Sequence, residues 1–426
     1  MEIEKLNEWN PWWENKDFIN RLIGISRTKY EHLVNSISIR EIIVITGIRR
    51  CGKSTLMYQM INKLLLEGTD PKQILFINFD DNKLNENSLD EIYLSYREYI
   101  NHEKKAYIFF DEVHKKELWE SWIRKKYDTK TNDKFVVSGS CSYLLKKEYS
   151  TLLTGRNITF EVFPLSFEEF LLFKDLKIKK ENIKNNVILE NTKISILKYL
   201  NEYINIGGFP EVLFKEKQFK IKILEQYFDD ILYKDIIDRY NLNTQKTKDL
   251  AILLITNFTG FISLRNIRNS LGISYDTIKD YLSHFKEAFL FFVIDHFSYS
   301  FKEQKTSASK IYCIDNGLRN AVSFKFSKDS GRLVENLVLI ELKRRNEDVY
   351  YWKNNGEVDF IIKRKTQDIT AINVSYTDDI NEREVKALLY FKKEYKKTKE
   401  LIIITKNIDK TEQGIRFIPL WKWLLK

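Results

Sequence analysis

Cysteine is scarce in this chain. Cys51, Cys141 and Cys313 are odd in number and far apart among 426 residues, which excludes a disulfide framework or a zinc cluster and points to a reducing compartment. Long apolar runs are also missing. The longest, AFLFFVI, is far too short to span a bilayer, and the amino terminus MEIEKLNEWNPWW lacks the basic segment followed by an apolar one that marks a secretory leader. The expectation is a cytoplasmic protein with no membrane partner. There is no internal repeat, no low-complexity segment and no long basic block. Lysine and arginine total 70 against 60 acids, a formal charge of +10 with a pI near 9.0. That balance suits an anionic partner such as nucleic acid, and it equally fits a lysine-rich bias spread over solvated faces.

What is present is ample material for several cores. A hydrophobic content of 43% and an aromatic content of 14% support globular folding throughout, and the length suggests two or three domains. Residues 1–40 read as a helical, aromatic segment in which Trp9, Trp12 and Trp13 surround a turn at Pro11 and pack onto the next domain. From 41 to 165, the β-rich runs EIIVIT, ILFINF, AYIFFDE, KFVVSGS and NITFEVF alternate with helical stretches, the pattern of a parallel α/β sheet. Residues 166–240 read as a helical lid or connector broken at GGFPEV, 241–328 as three helical patterns with an aromatic hairpin, and 329–426 as a β-rich α/β region.

The chemistry is concentrated at GIRRCGKS. Gly47, Gly52, Lys53 and Ser54 satisfy the G-x-x-x-x-G-K-[ST] pattern. In such a loop, backbone amides and a helix amino terminus surround phosphate oxygens, the lysine neutralises the terminal phosphates, and the serine hydroxyl binds Mg²⁺. The whole stretch of Gly47, Ile48, Arg49, Arg50, Cys51, Gly52, Lys53, Ser54 and Thr55 is the expected nucleotide cradle. Arg49 and Arg50 either approach nucleotide or a neighbouring subunit, or are simply solvated. YIFFDE places Asp111 and Glu112 at the carboxyl end of a buried strand, where open α/β sheets hold ligands. Asp111 is the expected magnesium partner alongside Ser54, and Glu112 the base that orients and deprotonates water. Without an N-K-x-D segment to read guanine, the expected nucleotide is ATP with Mg²⁺.

The order of phosphate loop, ILFINFDD, FFDE and VVSGSCSYLL resembles the AAA-like P-loop ATPases, in which another strand separates the acidic strand from the loop strand. The resemblance implies a polar sensor of the γ-phosphate on the next strand. Ser140 is the match and Ser138 the second choice, whereas relatives carry an asparagine where this chain has Cys141. LLTGRNITFEVFPLSFEEFL, GGFPEV and KIYCIDNGL are similar to the prokaryotic ATPases that end in the domain of unknown function DUF4143, and the resemblance spans nearly the whole chain. Arg156, in TGR, is a candidate catalytic cation acting in its own subunit or across an interface, or else a partner in a structural salt bridge.

SLRNIRNSLGISYDTIKDYLSHFKEA reads as helix, glycine turn at Gly272 and second helix, with Ile278, Leu282 and Phe285 as its apolar stripe. FLFFVIDHFSYS comes next as a wing, so the segment resembles a winged helix-turn-helix. Its outward Tyr275, Lys279, Asp280 and Ser283 carry little positive charge, which favours a structural or protein-contact role over direct base reading. The last region resembles the PD-(D/E)XK restriction-endonuclease-like fold. Glu335 and Asp359 match the first two acidic positions, but the E-x-K slot falls on Asn373 and Ser375. A neutral amide is a weaker Mg²⁺ ligand and serine supplies no cation, so a catalytically degenerate module is expected. Glu384 and Lys386 on the next helix, and Glu357 on the strand face of Asp359, are the groups that could replace the lost charges.

The expected protein is therefore an α/β P-loop ATPase with a helical lid, a winged-helix module and a restriction-endonuclease-like α/β domain. It hydrolyses ATP as a conformational switch acting on nucleic acid or a protein partner, with homo-oligomerisation open. The alternatives are an ATP-regulated, Mg²⁺-dependent DNA nuclease and a non-catalytic DNA-binding regulator.

Overall fold

The computed structural model describes all residues except 1–2, 28–29, 85, 130, 141–152, 186, 324–329 and 365. Cys141 lies outside the described residues. The chain forms two compact units, Met1–Val162 and Phe163–Lys426.

In the first unit, the runs of β-branched and aromatic residues form β1 (Ile42–Thr46), β2 (Ile74–Asn78), β3 (Tyr107–Asp111), β4 (Lys134–Gly139) and β5 (Asn157–Glu161). They pair in the order β2-β3-β4-β1-β5, and every pairing is parallel. All five residues of β1 are buried, as expected for a strand covered on both faces. The crossovers include helices α1 (Lys53–Leu66), α2 (Leu89–Tyr99) and α3 (Trp119–Asp128). Leu56, Met57, Met60, Ile61, Leu64 and Leu65 of α1 are buried, the face read from their spacing, and Gly68 at φ 88° lies just past the helix. β4 lies between β1 and β3, so the acidic strand is separated from the loop strand as the resemblance implies.

The aromatic amino-terminal segment belongs to this unit. Pro11 starts a 3₁₀ turn, Pro11–Trp13, Trp12 is fully buried, and the indole N–H groups of Trp12 and Trp13 both donate to the Ile74 carbonyl. Asn10 adds a paired contact across β2, donating to the Phe76 carbonyl at 2.9 Å and accepting from the Phe76 N–H at 2.6 Å.

The second unit contains the three later segments together. α4 (Glu190–Ile206), α5 (Lys217–Asp230) and α6 (Thr244–Thr256) are succeeded by α7 (Leu264–Leu271) and α8 (Tyr275–Glu287). Gly272, at φ 63°, ends α7 in the left-handed conformation that glycine adopts most readily. On α8, Ile278, Tyr281 and Phe285 are buried; Tyr281 takes the place expected for Leu282, which is only half-buried. β6 (Phe291–Ile294) and β7 (Lys310–Cys313) then pair as an antiparallel ribbon. After α9 (Asn316–Val322) and α10 (Ser330–Arg344) comes a six-stranded mixed sheet of order β12-β13-β11-β10-β9-β8. Its strands are β8 (Val349–Asn354), β9 (Gly356–Lys363), β10 (Ile369–Ser375), β11 (Thr398–Thr405), β12 (Lys410–Glu412) and β13 (Ile415–Pro419), with α11 (Glu382–Glu394) after β10. Residues from Leu165 through Phe258 and Tyr312 to Leu425 share one apolar cluster, so the later segments fold around a common core. Among the described residues no helix is long and apolar enough to cross a membrane.

Candidate functional site

Parallel strands end together, and the ends of β1 and β3 deliver the chemistry. Backbone geometry shapes the loop first. Gly47 has φ 150° and Gly52 φ 103°; a Cβ on Gly47 would lie 2.1 Å from the Val162 carbonyl oxygen, so only glycine fits there. Arg50 is left-handed at φ 68° and exposed. Ile48 and Cys51 are buried, and Thr55 lies half-buried on the first turn of α1. Burial pushes the Cys51 thiol up despite the nearby Lys53 charge.

The Lys53 side chain is 4% exposed and its ammonium donates to the carbonyls of Gly47 (3.2 Å) and Ile48 (3.4 Å) while facing Glu112 Oε1 at 3.5 Å. Ser54 Oγ donates to Asp111 Oδ2 at 2.5 Å. Asp111 is fully buried; its Oδ1 accepts from Ser138 Oγ, and Asn78 Nδ2 donates to Oδ2 at 3.4 Å. Glu112 sits in the left-handed region at φ 51°, ψ 41°, an uncommon conformation for a residue with a long side chain. Its Oε2 accepts from the Ser140 N–H at 3.0 Å and lies 3.4 Å from His114 Nδ1.

The two carboxyls are driven apart. Burial, reinforced by the Glu112 charge, pushes Asp111 up to about 6. Burial also presses Glu112 upward, but the Lys53, His114 and Arg49 charges outweigh it and hold this carboxyl below its ordinary value. Arg49 is anchored near the site by Asp80 at 3.3 Å.

Lys53, Ser54, Asp111 and Glu112 are thus brought into one cluster, through the Lys53–Glu112 ion pair, the Ser54–Asp111 hydrogen bond and Ser138 Oγ, which accepts from the Glu112 N–H at 3.2 Å and donates to Asp111. Ser140 joins it through its backbone N–H, while the side chain of Ser138 is committed to Asp111. Arg156 is not brought there. Its carbonyl accepts from Ile42 N–H at the start of β1, whereas the loop leaves the other end of that strand, about 13 Å away along four residues. Its guanidinium grips Asp128 at the end of α3, at 2.7 and 3.3 Å. The structural-salt-bridge alternative describes its surroundings in this subunit.

Two neighbours escaped the sequence reading. Asn78 stands in register with Asp111 on the adjacent strand, a pairing that alignment of the strand ends would have shown. Arg27, 3% exposed, donates to the Cys51 carbonyl at 2.9 Å and lies over the Tyr30 ring. It buttresses the loop from a segment with no motif of its own.

These residues fit a triphosphate with Mg²⁺. Gly47 lets the loop pass close to the Val162 carbonyl, a buried ammonium lies at the loop, and a hydroxyl–carboxylate pair supplies hard oxygen ligands.

The sequence matches the family described as an AAA domain over residues 39–171, a domain of unknown function (DUF8612) over 197–329, and another (DUF4143) over 330–423. An uncharacterized protein of Methanocaldococcus jannaschii is 37% identical over 409 residues, covering 90% of this chain and 88% of that protein. An uncharacterized protein of Haemophilus influenzae is 31% identical over 413 residues, covering 94% and 99% respectively. The chain belongs to this AAA–DUF4143 family. Among solved structures, AMPPCP-bound DnaA from Aquifex aeolicus is 13% identical and covers 62% of this chain and 89% of that one with a TM-score of 0.27, a likeness that decides nothing further. For the AAA–DUF4143 protein, the domain match and the five-stranded parallel sheet agree on a P-loop α/β fold of the AAA type.

The second cluster expected from sequence lies in the DUF4143 region. Glu335 and Asp359 do converge, and Glu357 and Glu384 line the same cleft of ≈ 580 Å³. Asn373 is fully buried between them: its Oδ1 accepts from the Asp359 N–H at 3.1 Å and its Nδ2 donates to Glu384 Oε2 at 2.8 Å. Ser375 ends β10 half-buried and brings no charge. Lys386 turns to solvent, 75% exposed and paired with Glu382 at 2.7 Å. Lys353 pairs with Glu357 at 3.4 Å and Arg383 with Glu384 at 3.1 Å from the cleft's rim, whereas the buried Lys310, which the motif reading passed over, reaches Glu335, Glu357 and Asp359 together.

Proposed function

We propose that this AAA–DUF4143 protein hydrolyses ATP and uses the nucleotide state as a conformational switch that governs the contact of its C-terminal unit with nucleic acid or a protein partner. The observation that carries the reading is the single cluster in which Lys53, Ser54, Asp111 and Glu112 meet. Lys53 and the loop amides would hold the phosphates, Ser54 and Asp111 would hold Mg²⁺, and Arg27 keeps the loop in shape. The metal, when bound, neutralises charge on the phosphates during transfer. Glu112, kept ionised by Lys53 and His114, accepts the proton of the attacking water, and its left-handed backbone aims the carboxylate at the loop. Ser138 and Asn78 orient Asp111. Ser140 tethers Glu112 through its N–H, a contact suited to sensing whether the carboxylate has moved.

The basic composition and the helix–turn–helix with its trailing ribbon support nucleic acid as one partner class. The neutral Asn373 and Ser375 favour binding over cleavage by the DUF4143 region. Phosphate release with and without DNA tests the reading, together with mass photometry in each nucleotide state. Lys53→Ala should weaken ATP binding at least about tenfold. Glu112→Gln should retain ATP and slow turnover by roughly 10²–10⁴-fold. Equal hydrolysis by Glu112→Gln and the parent chain would remove the assigned base, and a folded parent that binds no ATP would remove the proposal.

A further inference from the structure

The carboxylates of the DUF4143 region have already found a cation. Lys310 starts β7, before the DUF4143 match begins, and its side chain is 3% exposed. Its ammonium lies 2.7 Å from Glu357 Oε1, 3.3 Å from Glu335 Oε1 and 3.7 Å from Asp359 Oδ1. The rings of Phe261 and Tyr351 stand 5.5 and 5.9 Å from it. The acids are held from behind: Tyr312 Oη donates to Glu335 Oε1 at 2.7 Å, and the Val374 N–H donates to Asp359 Oδ2 at 2.8 Å.

Burial alone would lower the lysine, but Glu335, Asp359 and Glu357 outweigh it and raise it, so the ammonium keeps its proton. Burial raises Glu335 and, helped by the Glu335 charge, raises Asp359 further. Glu357, which burial would raise, is held below its ordinary value by Lys310 and by the more exposed Lys353 at 3.4 Å, so Lys310 is the buried ammonium shared by all three acids. Mg²⁺ requires several oxygens at about 2.0–2.1 Å in octahedral array, with waters completing the shell. A divalent ion among these carboxylates and an ammonium contacting the same oxygens would repel each other at close range. Among the described residues no group of three His, Cys, Asp or Glu side chains is arranged to hold a metal ion, so these carboxylates would have to close in around a metal once the ammonium is gone. The residues present do not fit Mg²⁺ while Lys310 is in place.

We propose that Lys310 is a tethered replacement for a divalent cation: it fills the carboxylate focus of the C-terminal sheet, excludes metal from it, and fastens the β6–β7 ribbon to that sheet. This does not rest on the ATPase reading. It makes the cleft a latent metal site that opens only when the ribbon's lysine is removed.

The test is Mn²⁺ binding by calorimetry to the full chain without nucleotide, with Asp111→Asn present throughout so that the phosphate-loop site contributes no metal signal. The chain retaining Lys310 should show no Mn²⁺ site in the cleft and no rise in melting temperature with millimolar Mn²⁺. Lys310→Met, or Lys310→Gln if the methionine variant does not fold, should gain one site per chain at least about tenfold tighter than any residual binding, and adding Asp359→Asn should remove it. Mn²⁺ bound by the Lys310 chain and lost with Asp359→Asn overturns the proposal. So does a folded Lys310 variant that gains no site. If neither variant folds, the Lys310 chain alone decides by the first criterion, absence of an Asp359-dependent site supporting the replacement.

Discussion

As the proposed magnesium ligand Asp111 must be an anion, yet burial favours the neutral form. With its carboxyl raised to about 6 by burial and the adjacent Glu112 charge, protonation removes the proposed magnesium partner within an accessible pH range. Because bound Mg²⁺ would itself favour the carboxylate, ATP turnover should fall on the acid side, at a pH below about 6, recovering on return to neutral pH. The stability contribution of the same group has the opposite sign. Because the folded value lies above the ordinary 3.8, its stabilisation is fully present below 3.8 and is lost as pH rises through about 6. Between pH 7 and 5 this group makes the nucleotide-free chain no easier to unfold. Parallel measurements of phosphate release and urea midpoint check this. Loss of turnover with an unchanged or higher midpoint is the expected outcome, whereas a midpoint that falls in step with turnover would assign the acid limb to unfolding. At this scale, much of the site was legible. Lys53, Ser54, Asp111 and Glu112 stand in two short motifs because phosphate binding and metal binding each demand fixed local spacing. Arg27 and Lys310 were not legible, since each acts through a contact between segments distant in sequence, and a single Arg or Lys among 70 carries no local signal.

The elements show why GGFPEV and KIYCIDNGL are written as they are. Asp315 caps α9, accepting from the N–H groups of Gly317 and Leu318 at 2.8 and 3.2 Å, and also accepts from Gly208 N–H at 2.7 Å. α4 ends at Gly207, with φ 78°, and a Cβ there would lie 2.0 Å from Asp315 Oδ1. The two motifs are one interlock. Gly207→Ala combines a strained backbone with a collision against a buried carboxylate, and should destabilise the second unit by about 1–3 kcal/mol. A urea titration monitored by tryptophan fluorescence reads this, and a change below about 0.5 kcal/mol would mean that the interlock relaxes freely. In the first unit, Trp12 is fully buried against β2, so Trp12→Ala should cost about 3–5 kcal/mol although it lies far from the phosphate loop in sequence. The strands of that unit were readable from apolar runs because a parallel sheet buries both faces. Sequence marked the glycines of the interlock only as a turn, because their partner lies more than 100 residues away. On β10, patterning located the strand, but the consequence of having Asn373 in place of an acid emerged only with its paired contacts to Asp359 and Glu384.

At the scale of the whole molecule, each unit has an apolar interior of its own. One gathers β1–β4 with the amino-terminal aromatics, and the other gathers α4, α10 and both faces of the six-stranded sheet. A chain so divided should show separable unfolding, and residues 1–162 and 163–426, produced apart, should each melt cooperatively. Saturation offers a direct measure of the proposed switch. A ligand that binds only the folded first unit stabilises it by about 2.7 kcal/mol at a hundredfold excess over Kd, and the isolated first unit should show that shift with ATP and Mg²⁺. In the full chain, nucleotide that merely occupies its site moves only the corresponding transition. Nucleotide that acts as a switch must bind with different affinity when the second unit changes state, and by reciprocity it then moves the second transition too. Calorimetry of the full Glu112→Gln chain, which should hold ATP without consuming it, separates the two cases. Movement of both transitions is the expected result, and a second transition indifferent to ATP in the full chain would leave an ATPase with no switch attached.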